Sequence, residues 1–125
     1  GELSRLMLAL KSVCSAGAAV PTIVFDEIDA GIGGRIAHAV GEKVASLAAD
    51  GQVLCVTHLP QIARLAQDHM VVSKCVQSGR TIVTAQHLDE NERVEELARM
   101  LGGTEADATV RDHARQLLHD AQWPR

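Results

Sequence analysis

Hydrophobic positions along the chain follow two different periods. Leu3, Leu6, Met7, Leu10 and Val13 recur at spacings of three and four, which predicts an amphipathic helix over residues 2–15. Gly17 and Pro21 bracket a short connection. Thr22-Ile23-Val24-Phe25 is a continuous β-branched and apolar run, the pattern of a strand buried on both faces. Gly31, Gly33 and Gly34 then interrupt the chain. Ile36, Val40, Val44 and Leu47 predict a second helix ending at Asp50-Gly51. Val53 to Thr57 reads as another buried strand, and Pro60 suits the first turn of a short helix reaching Ala66.

Helix, strand, helix, strand, helix is the order of an α/β fold with a mainly parallel sheet flanked by helices. Residues 70–77 and 80–88 are strand-like runs joined by Ser78-Gly79, a hairpin expected at the edge of that sheet. Val94, Leu97, Ala98 and Leu101 form a helical stripe stopped by Gly102-Gly103. Thr104 with Asp107 resembles a capping box with Asp in place of Glu. It precedes a last helix carrying Ala106, Val110, Ala114, Leu117 and Leu118, which Pro124 ends.

Composition narrows the picture. Phe25 and Trp123 are the only aromatics, so the core must be aliphatic. A formal charge of −4 argues against this chain being a nucleic-acid-binding surface by itself. Cys14, Cys55 and Cys75 are odd in number and lack CxxC spacing, so buried free thiols are expected. No apolar run approaches the roughly 18 residues of a membrane span, and a cytoplasmic location is the expectation. Gly1-Glu2-Leu3-Ser4 runs straight into a helical pattern without a lead-in, as expected of a segment cut from something longer.

Candidate chemistry gathers at strand ends. Asp26 and Glu27 directly follow an apolar strand, where two acids are costly unless solvated, paired or bound to a cation. The carboxyl ends of strands are where open α/β sheets bind ligands. One carboxylate there can hold Mg²⁺ and its neighbour can take a proton from water. A solvated acidic turn is the alternative. His58 follows the second strand and lies at the same edge if the strands are neighbours. Asp29-Ala30-Gly31-Ile32-Gly33-Gly34 permits close backbone approach to an anion, or is simply a tight turn. Gly1 and Ser4 at a helix start can also meet a phosphate. His38, His69, His87, His113 and His119 lack ligand spacing and read as surface residues. Glu90, Glu92, Arg93, Glu95, Glu96 and Arg99 read as a solvated helix face with local pairs.

These signals occur in a recognisable order. Gly1-Glu2-Leu3-Ser4-Arg5 resembles the tail of an ABC signature motif, and Thr22 to Glu27 resembles a Walker B strand with its catalytic glutamate. Ile28-Asp29-Ala30-Gly31-Ile32-Gly33 resembles a D-loop, and Val56-Thr57-His58 a switch histidine. Transporters usually carry Pro after the acidic pair. Ile28-Asp29 here, Thr57 to Ala63, and Glu96 to Gly103 instead resemble the SMC-like ATPases of bacterial DNA repair.

The resemblance implies that residues 1–125 are the C-terminal lobe of a P-loop, ABC/SMC-type ATPase head. It implies ATP and Mg²⁺ as cofactors, with Asp26 at the metal, Glu27 as general base and His58 sensing the γ-phosphate. Gly1, Glu2 and Ser4 would face the nucleotide of a second head, and Asp29 and Gly31 would lie at the head–head interface. Implied partners are a Walker A-bearing N-terminal half of the same protein, a second head, and DNA through the full-length protein, with no membrane. The implied setting is recombinational repair at the nucleoid. No Walker A lysine and no coiled coil are present in this sequence. Negligible hydrolysis by the chain alone is therefore expected. Two other readings compete: a transporter-type ABC subunit, and a non-catalytic interaction lobe whose acidic strand end is only structural.

Overall fold

The computed structural model describes residues 1–13, 22–49, 51–104 and 106–121. Expectations for Cys14, Gly17, Pro21, Asp50, Trp123 and Pro124 lie outside them. Helix α1 spans Glu2–Val13, strand β1 Thr22–Phe25, helix α2 Gly34–Leu47 and strand β2 Gln52–Cys55. Helix α3 covers Pro60–Ala63, strands β3 and β4 Met70–Gln77 and Arg80–His87, and helices α4 and α5 Glu90–Gly102 and Ala108–His119.

β1 and β2 pair in parallel, Thr22 opposite Gln52 and Phe25 opposite Cys55, with α2 as the crossover. A parallel pair needs such a crossover because a tight turn reverses direction. Alternation along each strand sends Ile23, Phe25, Val53 and Cys55 toward one face. There they join Leu8, Ile28, Val40, Val44, Leu47, Leu59 and Ile62 in an aliphatic core closed by Phe25. The strands are not buried on both faces as their sequence predicts. Val24, Leu54 and Val56 are 62%, 49% and 60% exposed, because no second layer covers that face among the described residues.

The hairpin also departs from expectation. β3 and β4 form their own two-stranded antiparallel sheet and do not extend the parallel one. Their eight-residue registers close through Ser78 and Gly79, both at positive φ (51° and 75°), the backbone a two-residue hairpin turn requires. Both strands are shorter of core than their apolar content suggests: Val72, Val76 and Val83 lie exposed.

α3 links two cores. Ile62 enters the first, while Ala63 enters a second with Leu97, Ala98 and Ala114, ringed by Val94, Leu101, Val110 and Leu118. α4 starts earlier than its apolar stripe indicates. Asp89 is its N-cap and accepts from the Glu92 backbone N–H at 2.8 Å, while the Glu92 carboxylate accepts from Asp89 N–H at 2.9 Å. That reciprocal pair is a capping box, visible in the sequence as Asp89-x-x-Glu92. The predicted box at Thr104 is absent. Asp107 instead caps α5 itself, accepting from Val110 N–H at 3.0 Å. Arg99 pairs with Glu96 along α4, and Arg111 of α5 reaches Glu95 across the helix pair.

Two substitutions separate cap from core. Asp89→Ala is expected to cost about 1 kcal/mol, the usual loss for an N-cap. Leu97→Ala, at a fully buried position, is expected to cost about 2–5 kcal/mol. Urea unfolding followed by circular dichroism measures both.

Candidate nucleotide site at the ends of the parallel strands

Parallel pairing puts the carboxyl ends of β1 and β2 at one edge. Asp26 and Glu27 follow β1 there, and Thr57 and His58 follow β2. The hydrogen bond from Val56 N–H to the Phe25 carbonyl, 2.9 Å, carries the pairing one step past the strands. Asp26 and Glu27 are both exposed. Glu27 holds a positive φ of 53°, a left-handed backbone uncommon for a non-glycine residue. Such strained positions cluster at functional sites. Nothing in the residue pattern announced it.

The β1–α2 loop turns from Glu27 to Gly33. Gly31 and Gly34 adopt positive φ of 72° and 53°, which explains glycine at those two places. Asp29 is the only buried charged residue among the described ones, at 3% exposure. Its Oδ2 accepts from Thr57 Oγ1 at 2.6 Å, from His58 backbone N–H at 2.8 Å, and lies 3.0 Å from His58 Nδ1. Burial alone pushes the Asp29 carboxyl up. The Thr57 hydroxyl, the backbone N–H groups and the His58 ring together outweigh burial and hold it below the usual carboxylate range. His58 itself remains 74% exposed.

The start of α1 is fastened to the same loop. Ser4 Oγ donates to the Asp26 carbonyl at 2.9 Å. Arg5 Nη1 donates to the carbonyls of Ile28 and Ala30 at 3.2 and 2.9 Å. Gly1 packs so closely that a Cβ there would stand 2.7 Å from Ala30 Cβ and 3.0 Å from the Glu27 carbonyl oxygen. Every residue singled out from the sequence, namely Gly1, Glu2, Ser4, Asp26, Glu27, Asp29, Gly31 and His58, therefore belongs to α1's first turn, the β1–α2 loop or the residues after β2. Sequence reasoning missed Arg5 as their clamp and Thr57 as the second donor to Asp29.

Curated relatives named DNA repair protein RecN match nearly the whole chain. The chain is 44% identical over 121 residues to the DNA repair protein RecN of Bacillus subtilis, covering 97% of the chain and 21% of that protein. It is 52% identical to RecN of Deinococcus radiodurans over 118 residues, 94% of the chain and 20% of that protein. RecN of Streptomyces coelicolor matches all of the chain at 46% identity, over 22% of its own length. Over nearly all of its length the chain is similar to RecN proteins. It spans about a fifth of the length of these relatives. No family model matches it.

Other titratable residues of this RecN-like chain flank the site or lie apart from it. His69, expected at the surface, is half-buried; burial and then the Arg93 charge hold its pKa below the usual histidine value. Cys55 is a free thiol beside the site, and burial followed by the charges of Asp29 and Asp26 pushes its pKa up to about 11, which keeps it protonated and unreactive. Cys75, expected to be buried, is exposed on the hairpin. No helix among the described residues is long and apolar enough to cross a membrane.

The Asp29 pKa gives a signed test. A carboxylate held below its unfolded value stabilises the fold fully above about pH 4. That contribution is lost as pH falls through the lowered folded value. Denaturant midpoints of wild type and Asp29→Asn should therefore differ most at neutral pH and converge in strong acid. A gap that persists unchanged at low pH would contradict the assignment.

Proposed function

We propose that this chain is the C-terminal part of an SMC-like ATPase head, which binds and hydrolyses ATP at a head–head interface during repair of DNA double-strand breaks. The observation that carries the reading is the shared edge. An acidic pair follows β1 and an exposed histidine follows β2 at the same edge, and the buried Asp29 of the β1–α2 loop holds the histidine's segment. The relatives' printed name, DNA repair protein RecN, supports the cellular role.

The donors fit a partial magnesium–nucleotide site. Among the described residues no cluster of three or more His, Cys, Asp or Glu is placed to hold a metal. Mg²⁺ in phosphoryl-transfer sites usually keeps water and phosphate ligands and takes one or two carboxylates from the protein. Asp26 suits that role. When bound, Mg²⁺–ATP supplies the phosphoanhydride and a cation that offsets its charge. Glu27, exposed and held in its left-handed backbone, would accept the proton of the attacking water. His58 would place its ring against the γ-phosphate. Gly1, Glu2 and Ser4, with Gly31, would lie toward the nucleotide of the second head.

Two features agree with a head completed from elsewhere. Among the described residues the parallel sheet has two strands, with an apolar face left bare at Val24, Leu54 and Val56. The sequence also lacks a phosphate-cradling GxxxxGK[ST] loop. The Walker A-bearing half of the same protein would supply both, and DNA would be engaged through the full-length protein.

Turnover assays on a full-length RecN carrying this segment test the proposal. Glu27→Gln should lower kcat by about 10²–10⁴-fold, the usual worth of a general base, with ATP still bound. Asp26→Ala should weaken Mg²⁺-dependent ATP binding. Wild-type turnover in Glu27→Gln removes the role given to Glu27, and unchanged binding in Asp26→Ala favours the non-catalytic lobe.

A further inference from the structure

We propose that Asp29 is a positioning residue for His58, its buried carboxylate fixing the imidazole so that Nε2 is the atom offered to the nucleotide. The proposal rests on the ATPase reading above and adds a role for a residue that touches no substrate atom.

The geometry is specific. One oxygen, Oδ2, accepts hydrogen bonds from the Thr57 hydroxyl at 2.6 Å and the His58 backbone N–H at 2.8 Å, and lies 3.0 Å from His58 Nδ1. The first two bonds hold the backbone on either side of the imidazole. Thr57 Oγ1 also accepts from Leu59 N–H at 3.0 Å, which closes the turn around His58. The third contact, the 3.0 Å approach of carboxylate to Nδ1, acts on the ring. An ionised carboxylate has no hydrogen to give, so this close approach favours the hydrogen on Nδ1, since a bare ring nitrogen would set one lone pair against another. Nε2 is then left as the variable atom of an otherwise exposed ring. A buried carboxylate that orients an imidazole through Nδ1 is also the arrangement of the Ser-His-Asp triad, where its loss leaves the ring in the wrong tautomer.

A purely structural anchor would not need this third contact. Thr57 and the His58 N–H already satisfy a buried acceptor. Without that contact, a ring that is 74% exposed shows no polar partner among the described residues to fix its rotamer. The carboxylate therefore selects both the ring's direction and its tautomer.

A double-mutant cycle in a full-length RecN carrying this segment tests this. Asp29→Asn keeps the shape and one acceptor oxygen but removes the charge. It should lower kcat about 10-fold, the lower end for groups that orient a functional histidine, with the KM for ATP unchanged within twofold. In a His58→Ala background the same substitution should cost less than twofold. Selective ¹⁵N-histidine labelling should show the His58 ring signals shifted in Asp29→Asn. An equal loss of kcat in both backgrounds overturns the proposal, as do unshifted ring signals. Wild-type turnover in His58→Ala alone strikes the ATPase role of His58 instead, and leaves the ring signals as the arbiter of the tether.

Discussion

The buried carboxylate of Asp29 is the constraint around which this edge of the molecule is arranged. It is taken out of water between two strand ends, at a cost that only donors can offset. Two of those donors come from the residues after β2, the Thr57 hydroxyl and the His58 backbone N–H, with the His58 ring 3.0 Å away. Removing one partner would leave a buried charge short of its bonds, a larger penalty than the net worth of any single bond. The β1–α2 loop and the turn after β2 therefore cannot move independently. Ile28, fully buried next to Asp29, anchors the same loop in the aliphatic core. Glu27 is thus held in its left-handed backbone from the side of the core, while Ser4 and Arg5 hold the loop from the side of α1.

Much of this was legible in the residues. Apolar periodicity placed α1, α2 and the two parallel strands within a few residues, although α1 buries Leu8 and leaves Leu3, Leu6, Met7 and Leu10 of its predicted stripe exposed. The hairpin turn was legible because Ser78-Gly79 meets a backbone demand. Its place in the fold was not, since pairing of a distant edge leaves no local mark. Exposure of Val24 and Leu54 was equally hidden. A strand's composition reports the surroundings it is suited to, whether or not a given segment supplies them.

The site divides in the same way. Asp26, Glu27 and His58 stand out in the sequence because their residue types sit directly after apolar strands. The tether from Asp29 joins residues 29 apart in sequence, and no spacing rule covers it. Arg5 was missed for a related reason. An arginine in the first turn of an amphipathic helix looks like any solvated cation, yet its guanidinium serves two loop carbonyls. Positive φ at Glu27 is a backbone property that glutamate does nothing to advertise.

The bare face over β1 and β2 has a thermodynamic consequence. Two-stranded sheets are marginal on their own, and a core covered from one side lacks part of its burial. Any partner that binds the folded lobe over Val24, Leu54 and Val56 draws the folding equilibrium with it by mass action. Folding of this segment and its docking then become one linked equilibrium, and its apparent melting temperature becomes a function of partner concentration.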